Sequence, residues 1–492
     1  MNAVTASLAR RALSLGSANA IDYALQFLLP IVLTRTLDPH SFGQYRLLWL
    51  AVNTLMLITP MCMAPSLYYF LPRSDRPTQR LYINQTLLFL VGAGLVSAFA
   101  ISEWDPFIPS SLAQVAAGHG PVVPAFALMW IFASTLDVLP TAEERVGWQA
   151  KAVVAMSLTR ALVLSATAIA THELAPVLWA LFAITCLKAA LLVFYVASHH
   201  GLGLPLARRD TFAAQLRQAA PFALSGTLHG VRTQADQWIA AALFSVAQFA
   251  SFSIATVLAP MLQIFRESVN HVFLPSMSRL QSTGDFEGML ELNNRANAMV
   301  ALLAYPLLCF GFVFADPLIS LVYTRAYIDA VPVLRLYTVA LAAFVVELTS
   351  ILFVLRQGAF AARVNALVLA ISLPLSYYGA LHWGLQGAAL GSVAAIYGER
   401  ILSLSRIARL TGTPIRRLQN WTTLAGILAA AAVSALASGI VLAGFELPPI
   451  ARLAAGAGLV AIAYPAALYL TGQWHELASF LSALRTRGAH AA

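Results

Sequence analysis

Charged residues are scarce in this sequence. Of its 492 residues only 10% are Asp, Glu, Lys or Arg, whereas 59% are hydrophobic. Soluble domains carry roughly a quarter charged residues. A chain with a mean hydropathy of +0.75 would therefore not stay dissolved in water. The composition excludes an ordinary soluble domain and indicates a protein of the lipid bilayer.

Cysteine is also rare. Cys62, Cys186 and Cys309 each lie inside an apolar run, and none has the spacing of a CxxC motif or a metal-ligand set. We expect these residues to behave as small buried apolar side chains, with no disulfide, no metal and no cofactor. The sequence therefore predicts neither a disulfide-stapled domain nor a redox or metal enzyme.

The net charge of +9 raises the question of nucleic-acid binding. Basic residues that bind a polyanion cluster on one polar face. Here they stand singly between long apolar stretches, which argues against nucleic acid as a partner.

Apolar stretches of membrane-crossing length recur along the whole chain. A helix needs about 20 mostly apolar residues to cross a hydrocarbon core of ~30 Å, because no backbone polar group can stay unpaired in lipid. The first stretch follows Arg10 and Arg11 and resembles a signal peptide, but it has no convincing cleavage site, so we expect it to be retained. The pattern predicts an all-α polytopic protein with about fourteen transmembrane helices, at about 12–34, 47–71, 81–101, 122–140, 152–171, 174–197, 219–244, 249–273, 296–322, 333–355, 364–382, 385–405, 421–444 and 449–471.

The distribution of Lys and Arg predicts the orientation of these spans. Basic residues gather in cytoplasmic loops. With fourteen spans, the loop set that includes the N-terminus holds twenty of them and the other set only four. We therefore expect both termini in the cytoplasm of a bacterial inner-membrane protein, with Ser102 to Pro121 outside and Arg208 and Arg406 inside.

Two basic linkers divide the predicted spans into groups of six, six and two. The predicted domains are an N-terminal six-helix lobe at 1–207, a second six-helix lobe at 208–412, and two extra helices with a tail at 413–492. Because six is even, any repeat of the lobes is parallel. The tail from Trp474 to Arg487 places apolar residues on one helical face, which predicts an interfacial amphipathic helix or, alternatively, a frayed end.

The layout and two segments carry a family resemblance. The segments are LTRTLDPHSFGQYRLL (Leu33 to Leu48) and PFALSGTLHGVRTQADQWIAA (Pro221 to Ala241). With them the chain resembles the polysaccharide transporter branch of the multidrug/oligosaccharidyl-lipid/polysaccharide exporter superfamily, which includes O-antigen flippases. The resemblance implies two six-helix lobes in a V around a central cavity, plus two C-terminal helices. It also implies transport of lipid-linked oligosaccharides by alternating access.

Ionisable side chains within the spans are candidates for function. Each costs at least about 2.5 to 3.5 kcal/mol to insert, so it should face a cavity or a partner. The predicted set is Asp22, Arg160, Lys188, Arg232, Asp236, Arg266, Glu267 and Glu347. Four are basic and four acidic, so the set is compatible with a neutral or cationic substrate as well as with an anionic one.

Two helices carry polar residues at spacings of three and four, which place them on one face. The first stripe is Asn19, Asp22 and Gln26, and the second is His229, Arg232 and Asp236. If the first and seventh helices are repeat equivalents, the stripes should face each other across the cavity between the lobes.

Arg232 is the leading candidate for binding a lipid pyrophosphate, because a guanidinium offers a planar fork of donors. The alternatives are that Arg232 and Asp236 form a structural pair, that Lys188 snorkels to the interface, and that Arg266 and Glu267 serve packing. The predicted substrate-binding residues are Arg232, His229, Arg266, Lys188, Arg160, Asn19 and Gln26, and the ion-coupling candidates are Asp22, Asp236 and Glu347.

The sequence thus favours a flippase, not an enzyme, that exports undecaprenyl pyrophosphate-type oligosaccharides for surface polysaccharide synthesis. Its expected partners are that substrate, membrane lipids and the polysaccharide polymerase machinery. One alternative is a drug or cation antiporter of the same superfamily. A membrane-embedded glycosyltransferase or ligase is another, but the longest predicted outward loop offers only Glu103, Asp105 and His119 for catalysis.

Overall fold

The computed structural model describes residues 2–106, 108–201, 203, 206–475 and 478. Within these residues every regular element is a helix, which confirms the predicted all-α class. The predicted interfacial helix from Trp474 to Arg487 lies almost entirely outside the described residues.

The chain divides into two compact units. The first takes its residues from 1–234 and 241–250, and the second from 235–240 and 251–492. The division into lobes at residues 207 and 412 stays a prediction.

Eleven of the described α-helices lie wholly or partly in the first unit. They are α1 (Asn2–Thr36), α2 (Pro39–Ile58), α3 (Met63–Phe70), α4 (Arg76–Ala100), α5 (Ser110–His119), α6 (Val122–Ala133), α7 (Leu139–Ala142), α8 (Val146–Thr171), α9 (Leu174–His199), α10 (Arg209–Leu243) and α11 (Val246–Ala255). The last two of these helices continue into residues of the second unit.

The second unit contains the remaining nine described α-helices. They are α12 (Leu258–Ser282), α13 (Phe286–Val313), α14 (Ala315–Val322), α15 (Ala330–Phe344), α16 (Thr349–Val354), α17 (Gly358–Thr411), α18 (Ile415–Leu418), α19 (Trp421–Ala443) and α20 (Pro449–Leu470).

Ten helical segments of the described chain are long and apolar enough to cross a membrane, which makes this a multi-pass membrane protein. They are Ser14–Thr36, Arg76–Ala100, Val122–Ala142, Val146–Thr171, Leu174–His199, Val246–Glu267, Phe286–Val313, Gly358–Thr411, Trp421–Ala443 and Pro449–Leu470. An eleventh arises if α2 and the helical turns at Met63–Arg73, bent by 43°, form one span. The count of fourteen stays a prediction.

Breaks within helices account for much of the difference in number. The second predicted span is interrupted after Pro60, where Met61 and Cys62 adopt left-handed backbone with φ of 46° and 54°. The tenth is divided into α15, of 15 residues, and α16, of 6 residues. The eleventh and twelfth lie within the single 54-residue α17.

Helix α17 is a hairpin of two packed helices. As a straight rod it would be about 81 Å long at 1.5 Å per residue, far more than the ~30 Å hydrocarbon core. Gly384, with φ 64° and ψ −146°, reverses the chain in a backbone region that is essentially restricted to glycine. The two arms then approach so closely that a Cβ on Gly387 would lie 1.8 Å from the Gly379 carbonyl oxygen. Glycine at both positions is what allows this contact.

The last two helices pack on the second unit. Small side chains of α19, such as Ala430, Ala431 and Ala435, are fully buried in the core that includes α13. From α20, the Tyr464 hydroxyl donates to the Leu302 carbonyl oxygen of α13 at 3.0 Å. Buried Ala residues permit close helix contact in lipid, where van der Waals packing is the main attraction between helices.

We expect Gly387→Ala to destabilise the protein, by about 1 to 3 kcal/mol, because the added methyl group overlaps the Gly379 backbone. The matched control is Gly92→Ala in α4, where a Cβ would meet nothing within 4 Å. Thermal unfolding of both purified variants in detergent is the measurement. Equal midpoints for the two variants would contradict the tight hairpin.

Candidate functional site

A cavity of 420 Å³ lies within the first unit. Five of the ten predicted site residues line it, namely Asn19, Asp22, Gln26, Arg160 and Lys188. These side chains come from α1, α8 and α9, so packing of the three helices gathers residues that are up to 169 positions apart.

The Asp22 carboxylate is the centre of one half of this cavity. On α1 it is four residues from Gln26, whose side-chain Nε2 donates to Asp22 Oδ2 at 2.7 Å. On α8, Ser157 Oγ and Arg160 Nη2 both donate to Asp22 Oδ1, at 2.6 and 2.9 Å. The spacing of three on α8 puts the hydroxyl and the guanidinium on the same face. The pair keeps some exposure to the cavity, with 17% of the Arg160 side chain and 24% of the Asp22 side chain accessible.

A second ion pair occupies another part of the cavity. Lys188 Nζ of α9 donates to Asp137 Oδ2 at 2.7 Å and lies 5.2 Å from the centroid of the Trp130 ring. The carboxylate and the ring face both stabilise an ammonium ion. Lys188 is therefore held inside the cavity by two groups of the same unit.

The lining combines charge, amides and rings. Besides the two ion pairs it includes the amide of Gln149 and the aromatic rings of Tyr68 and Trp130. Gln149 is 3% exposed, and its buried Oε1 has no hydrogen-bond partner among the described residues. Sites for small molecules typically pair ring faces with a few placed polar groups. This arrangement can bind a polar molecule that also has a flat apolar face, and it can exchange its internal ion pairs for a charged ligand.

In the second unit the structure brings Arg266 and Glu347 together. Their side chains form a buried ion pair, and the Arg266 guanidinium lies 3.8 Å from the centroid of the Phe344 ring. Glu267, the neighbour of Arg266, instead accepts a hydrogen bond from Gln263 at 2.8 Å.

Glu347 also occupies the gap between α15 and α16. There its backbone N–H donates to Asn297 Oδ1 at 3.0 Å, and its backbone carbonyl accepts from Asn293 Nδ2 at 3.2 Å. The two asparagines of α13 thus pair backbone groups that the broken helix frees, as a hydrocarbon environment requires.

The three residues of the second polar stripe, His229, Arg232 and Asp236, lie in different environments. Asp236 is 2% exposed and accepts hydrogen bonds from Tyr337 Oη, from Ser392 Oγ at 2.5 Å and from the Gln237 N–H at 2.7 Å. Arg232 is buried at 8% exposure, whereas His229 is exposed.

Asp137 and Arg400 are relevant residues that the sequence prediction missed. Asp137 pairs with Lys188, and the guanidinium of Arg400 lies 5.2 Å from the Phe344 ring that also contacts Arg266. Both are ionisable and lie within predicted spans, which is the signal that could have identified them. Within the described residues no three His, Cys, Asp or Glu side chains are grouped closely enough to hold a metal ion.

Glu143 forms a further cluster just outside the membrane-crossing helices, between α7 and α8. Its carboxylate contacts His200 Nε2, accepts from Tyr195 Oη at 2.5 Å and lies 3.7 Å from Arg145 Nε. Burial alone would raise the pKa of Glu143, but the hydrogen bonds from His200 and Tyr195 and the nearby positive charges outweigh it and lower the pKa.

A carboxyl group whose pKa is lowered on folding stabilises the fold above its unfolded-state pKa, and this contribution disappears as the pH falls through the folded-state pKa. We therefore expect Glu143→Gln to lower the thermal midpoint at pH 7. The difference from wild type should shrink as the pH falls below the ordinary glutamate value of 4.5. Thermal unfolding of both proteins between pH 7 and pH 3.5 measures it. A difference that stays constant over this range would contradict an ionised Glu143.

Comparisons with known proteins agree with this architecture. Residues 32–332 match the model of a family described as polysaccharide biosynthesis protein. No curated protein matches. Among solved structures, the chain is similar to the lipid II flippase MurJ in an inward closed conformation, with 12% identity, a TM-score of 0.67 and coverage of 92% of this chain and 98% of that one.

Two further structures show the same fold. One is an inward-facing multidrug resistance MATE family transporter of the MOP superfamily, with 14% identity, a TM-score of 0.61 and coverage of 80% and 96%. The other is a MOP superfamily transporter from Pyrococcus furiosus, with 11% identity, a TM-score of 0.53 and coverage of 83% and 96%. The chain belongs to the polysaccharide biosynthesis protein family and has the fold of the MOP exporter superfamily.

Proposed function

We propose that this protein is a flippase that moves a lipid-linked oligosaccharide, of the undecaprenyl pyrophosphate type, across the bacterial inner membrane by alternating access. Its product would be used for surface polysaccharide assembly, and both termini would lie in the cytoplasm. The family match and the fold of a lipid II flippase support this assignment. The observation that carries it is the 420 Å³ cavity with two ion pairs among apolar helices.

The cavity suits the two chemical parts of such a substrate. The faces of Trp130 and Tyr68 can stack on the apolar face of a sugar ring, while Asn19, Gln26 and Gln149 can hydrogen-bond to its hydroxyl groups. A substrate phosphate would compete with the carboxylates of Asp22 and Asp137 for their basic partners. An arginine binds a phosphate more specifically than a lysine that is paired with a carboxylate, because two N–H groups of the guanidinium can donate to the phosphate at once.

Competition of this kind would also couple transport to an ion. If the substrate takes the guanidinium of Arg160, Asp22 loses its positive partner inside the membrane. A carboxylate so placed would favour uptake of a proton or a sodium ion. Asp236, whose side-chain oxygens accept from the hydroxyl groups of Tyr337 and Ser392, is a second coupling candidate. Glu347 is a third, although it is paired with Arg266.

Arg232 and His229 of α10 would contact the substrate outside the 420 Å³ cavity, as would Arg266 of α12. Arg232 stays the leading candidate for the pyrophosphate. Arg232 is buried, and burying a guanidinium in the membrane has a cost in free energy. That cost argues against a residue that serves only to face solvent.

A drug or cation antiporter is the second candidate. The cavity holds as many acidic as basic side chains, and 53% of the Asp137 side chain is exposed and so accessible to a cationic ligand. Deletion of the gene separates the two functions. A flippase predicts lipid-linked intermediates that accumulate in the cytoplasmic leaflet, whereas an antiporter predicts drug sensitivity with unchanged lipid intermediates.

We expect Lys188→Gln to reduce polysaccharide export roughly tenfold or more. The variant loses a charge-assisted contact with the substrate, which contributes about 1.5 to 3 kcal/mol. Asp137 is half exposed, so it tolerates the loss of its partner and the protein should still reach the membrane. The control is Lys151→Gln, which removes the same charge at an exposed position of α8. Lipid-linked intermediates and membrane levels are measured together in a deletion strain. Normal export by Lys188→Gln would show that this cavity is not part of the transport pathway.

For Arg232 we expect Arg232→Lys to impair export although the charge remains, because the bidentate fork is lost. Since Asp236 accepts hydrogen bonds from Tyr337 and Ser392, Arg232→Ala should leave the membrane level near that of wild type while export fails. A purely structural pair predicts a lower level for Arg232→Ala, and its recovery together with export in Arg232→Ala/Asp236→Ala. Normal export by that double variant would show that Arg232 does not bind substrate.

A further inference from the structure

A second, smaller cavity lies in the second unit, where α13 and α19 begin. Its volume is 190 Å³, roughly six times the share of one liquid water of about 30 Å³. Six of its eight lining residues are polar, namely Glu291, Asn294 and Arg295 of α13, Gln419 and Asn420 before α19, and Thr423 of α19. None of its lining residues lines the larger cavity of the first unit, so a ligand bound here is independent of the proposed function.

The orientation of the Gln419 side chain follows from a chain of hydrogen bonds. The backbone N–H of Glu347 can only donate, so the atom of Asn297 that it contacts at 3.0 Å must be the amide oxygen. Asn297 Nδ2 is then a donor, and its partner at 2.9 Å must be Gln419 Oε1. The Nε2 of Gln419 therefore takes no part in this hydrogen bond and lies on the other side of the Gln419 amide.

That Nε2 is an unpaired buried donor. Gln419 is 3% exposed, it lines the cavity, and its Nε2 makes no hydrogen bond to any described residue. Buried donors are nearly always paired, so one that is unpaired at a cavity indicates a missing acceptor. The buried Oδ1 of Asn294 likewise has no partner in the part of the chain that the structure describes, and the Asn294 amide can rotate to present a second donor.

Three further features favour an anion as that acceptor. The cavity lies at the N-terminus of α19, a helix of 23 residues, where the helix dipole attracts negative charge and the Asn420 side chain already accepts a hydrogen bond from the Thr423 N–H. Arg295 adds a guanidinium that is held by Glu291 at 2.5 Å and is 69% exposed, so it can turn toward a ligand. Arg416 and Arg417 are exposed in α18, directly before this end of α19.

The position of the cavity favours a lipid as the source of the anion. Helix α19 is long and apolar enough to cross the membrane, and its first residue, Trp421, is 37% exposed. Tryptophan at the end of such a helix is typical of the level of the lipid headgroups. Leu424 and Ala298 complete the lining with apolar surface. We propose that this cavity binds the phosphate of an anionic phospholipid headgroup, held by Gln419, Arg295 and the N-terminus of α19.

The test uses the purified full-length protein in a neutral detergent. Phosphatidylglycerol is titrated and the thermal midpoint is followed; diacylglycerol, which has acyl chains but no phosphate, and inorganic phosphate are titrated in parallel. Phosphatidylglycerol should raise the midpoint of the wild type at concentrations at which the other two have no effect. An equal rise with diacylglycerol would overturn recognition of the phosphate, and an equal rise with inorganic phosphate would overturn the lipid as its source.

Variants then locate the site. Arg295→Gln, at an exposed position, should weaken the effect of phosphatidylglycerol roughly tenfold in concentration. The control is Arg409→Gln, an equal charge change at an exposed position that does not line the cavity, and it should respond like the wild type. Gln419→Glu keeps the acceptor for Asn297 but replaces the free donor with an oxygen, so it should abolish the effect. If Arg295→Gln responds like Arg409→Gln, the site is not in this cavity, and this result decides even if Gln419→Glu does not fold.

Discussion

In the hydrocarbon layer no water is present to pair a backbone or ionisable group, and most features of this protein result from that constraint. Helices satisfy the backbone internally, so the described regular structure is entirely helical. Where a helix is broken, other groups must replace the lost hydrogen bonds. At the gap between α15 and α16 that task falls to Asn293 and Asn297, whose amides pair the backbone of Glu347.

The same constraint determines how the charges are arranged. Asp22 with Arg160 and Asp137 with Lys188 neutralise each other in the first unit, as Arg266 and Glu347 do in the second. A buried charge whose partner is removed is strongly destabilising, whereas a pair that faces a cavity can exchange one partner for a ligand. Fully buried ion pairs therefore stabilise the fold, whereas ion pairs that face a cavity allow a transporter to alternate between empty and loaded states. The exposure of the Asp22 and Lys188 pairs to the 420 Å³ cavity favours the second role for them.

Close helix contacts depend on residues that lack side-chain bulk. Gly379 and Gly387 let the arms of α17 touch through their backbones, and Gly384 reverses the chain between them. Alanines of α19 serve a similar purpose against α13. Because lipid tails are as apolar as leucine, such contacts and not the hydrophobic effect supply the attraction between helices. The interior of the second unit therefore depends on small residues as much as on large ones.

The sequence by itself determined the class of the protein and the stretches that become helical, because hydrophobic length is a local property that lipid enforces directly. It also marked Asp22, Arg160 and Lys188 as candidate site residues, since an ionisable residue in an apolar run stands out without any structure. The pairing of these residues was decided only by tertiary structure. Asp22 meets α8 within its own unit, and Lys188 meets Asp137, which the sequence prediction had passed over. The break at Glu347 was equally a matter of tertiary context, because the backbone that it frees is paired by Asn293 and Asn297, which lie 54 and 50 residues away in the chain.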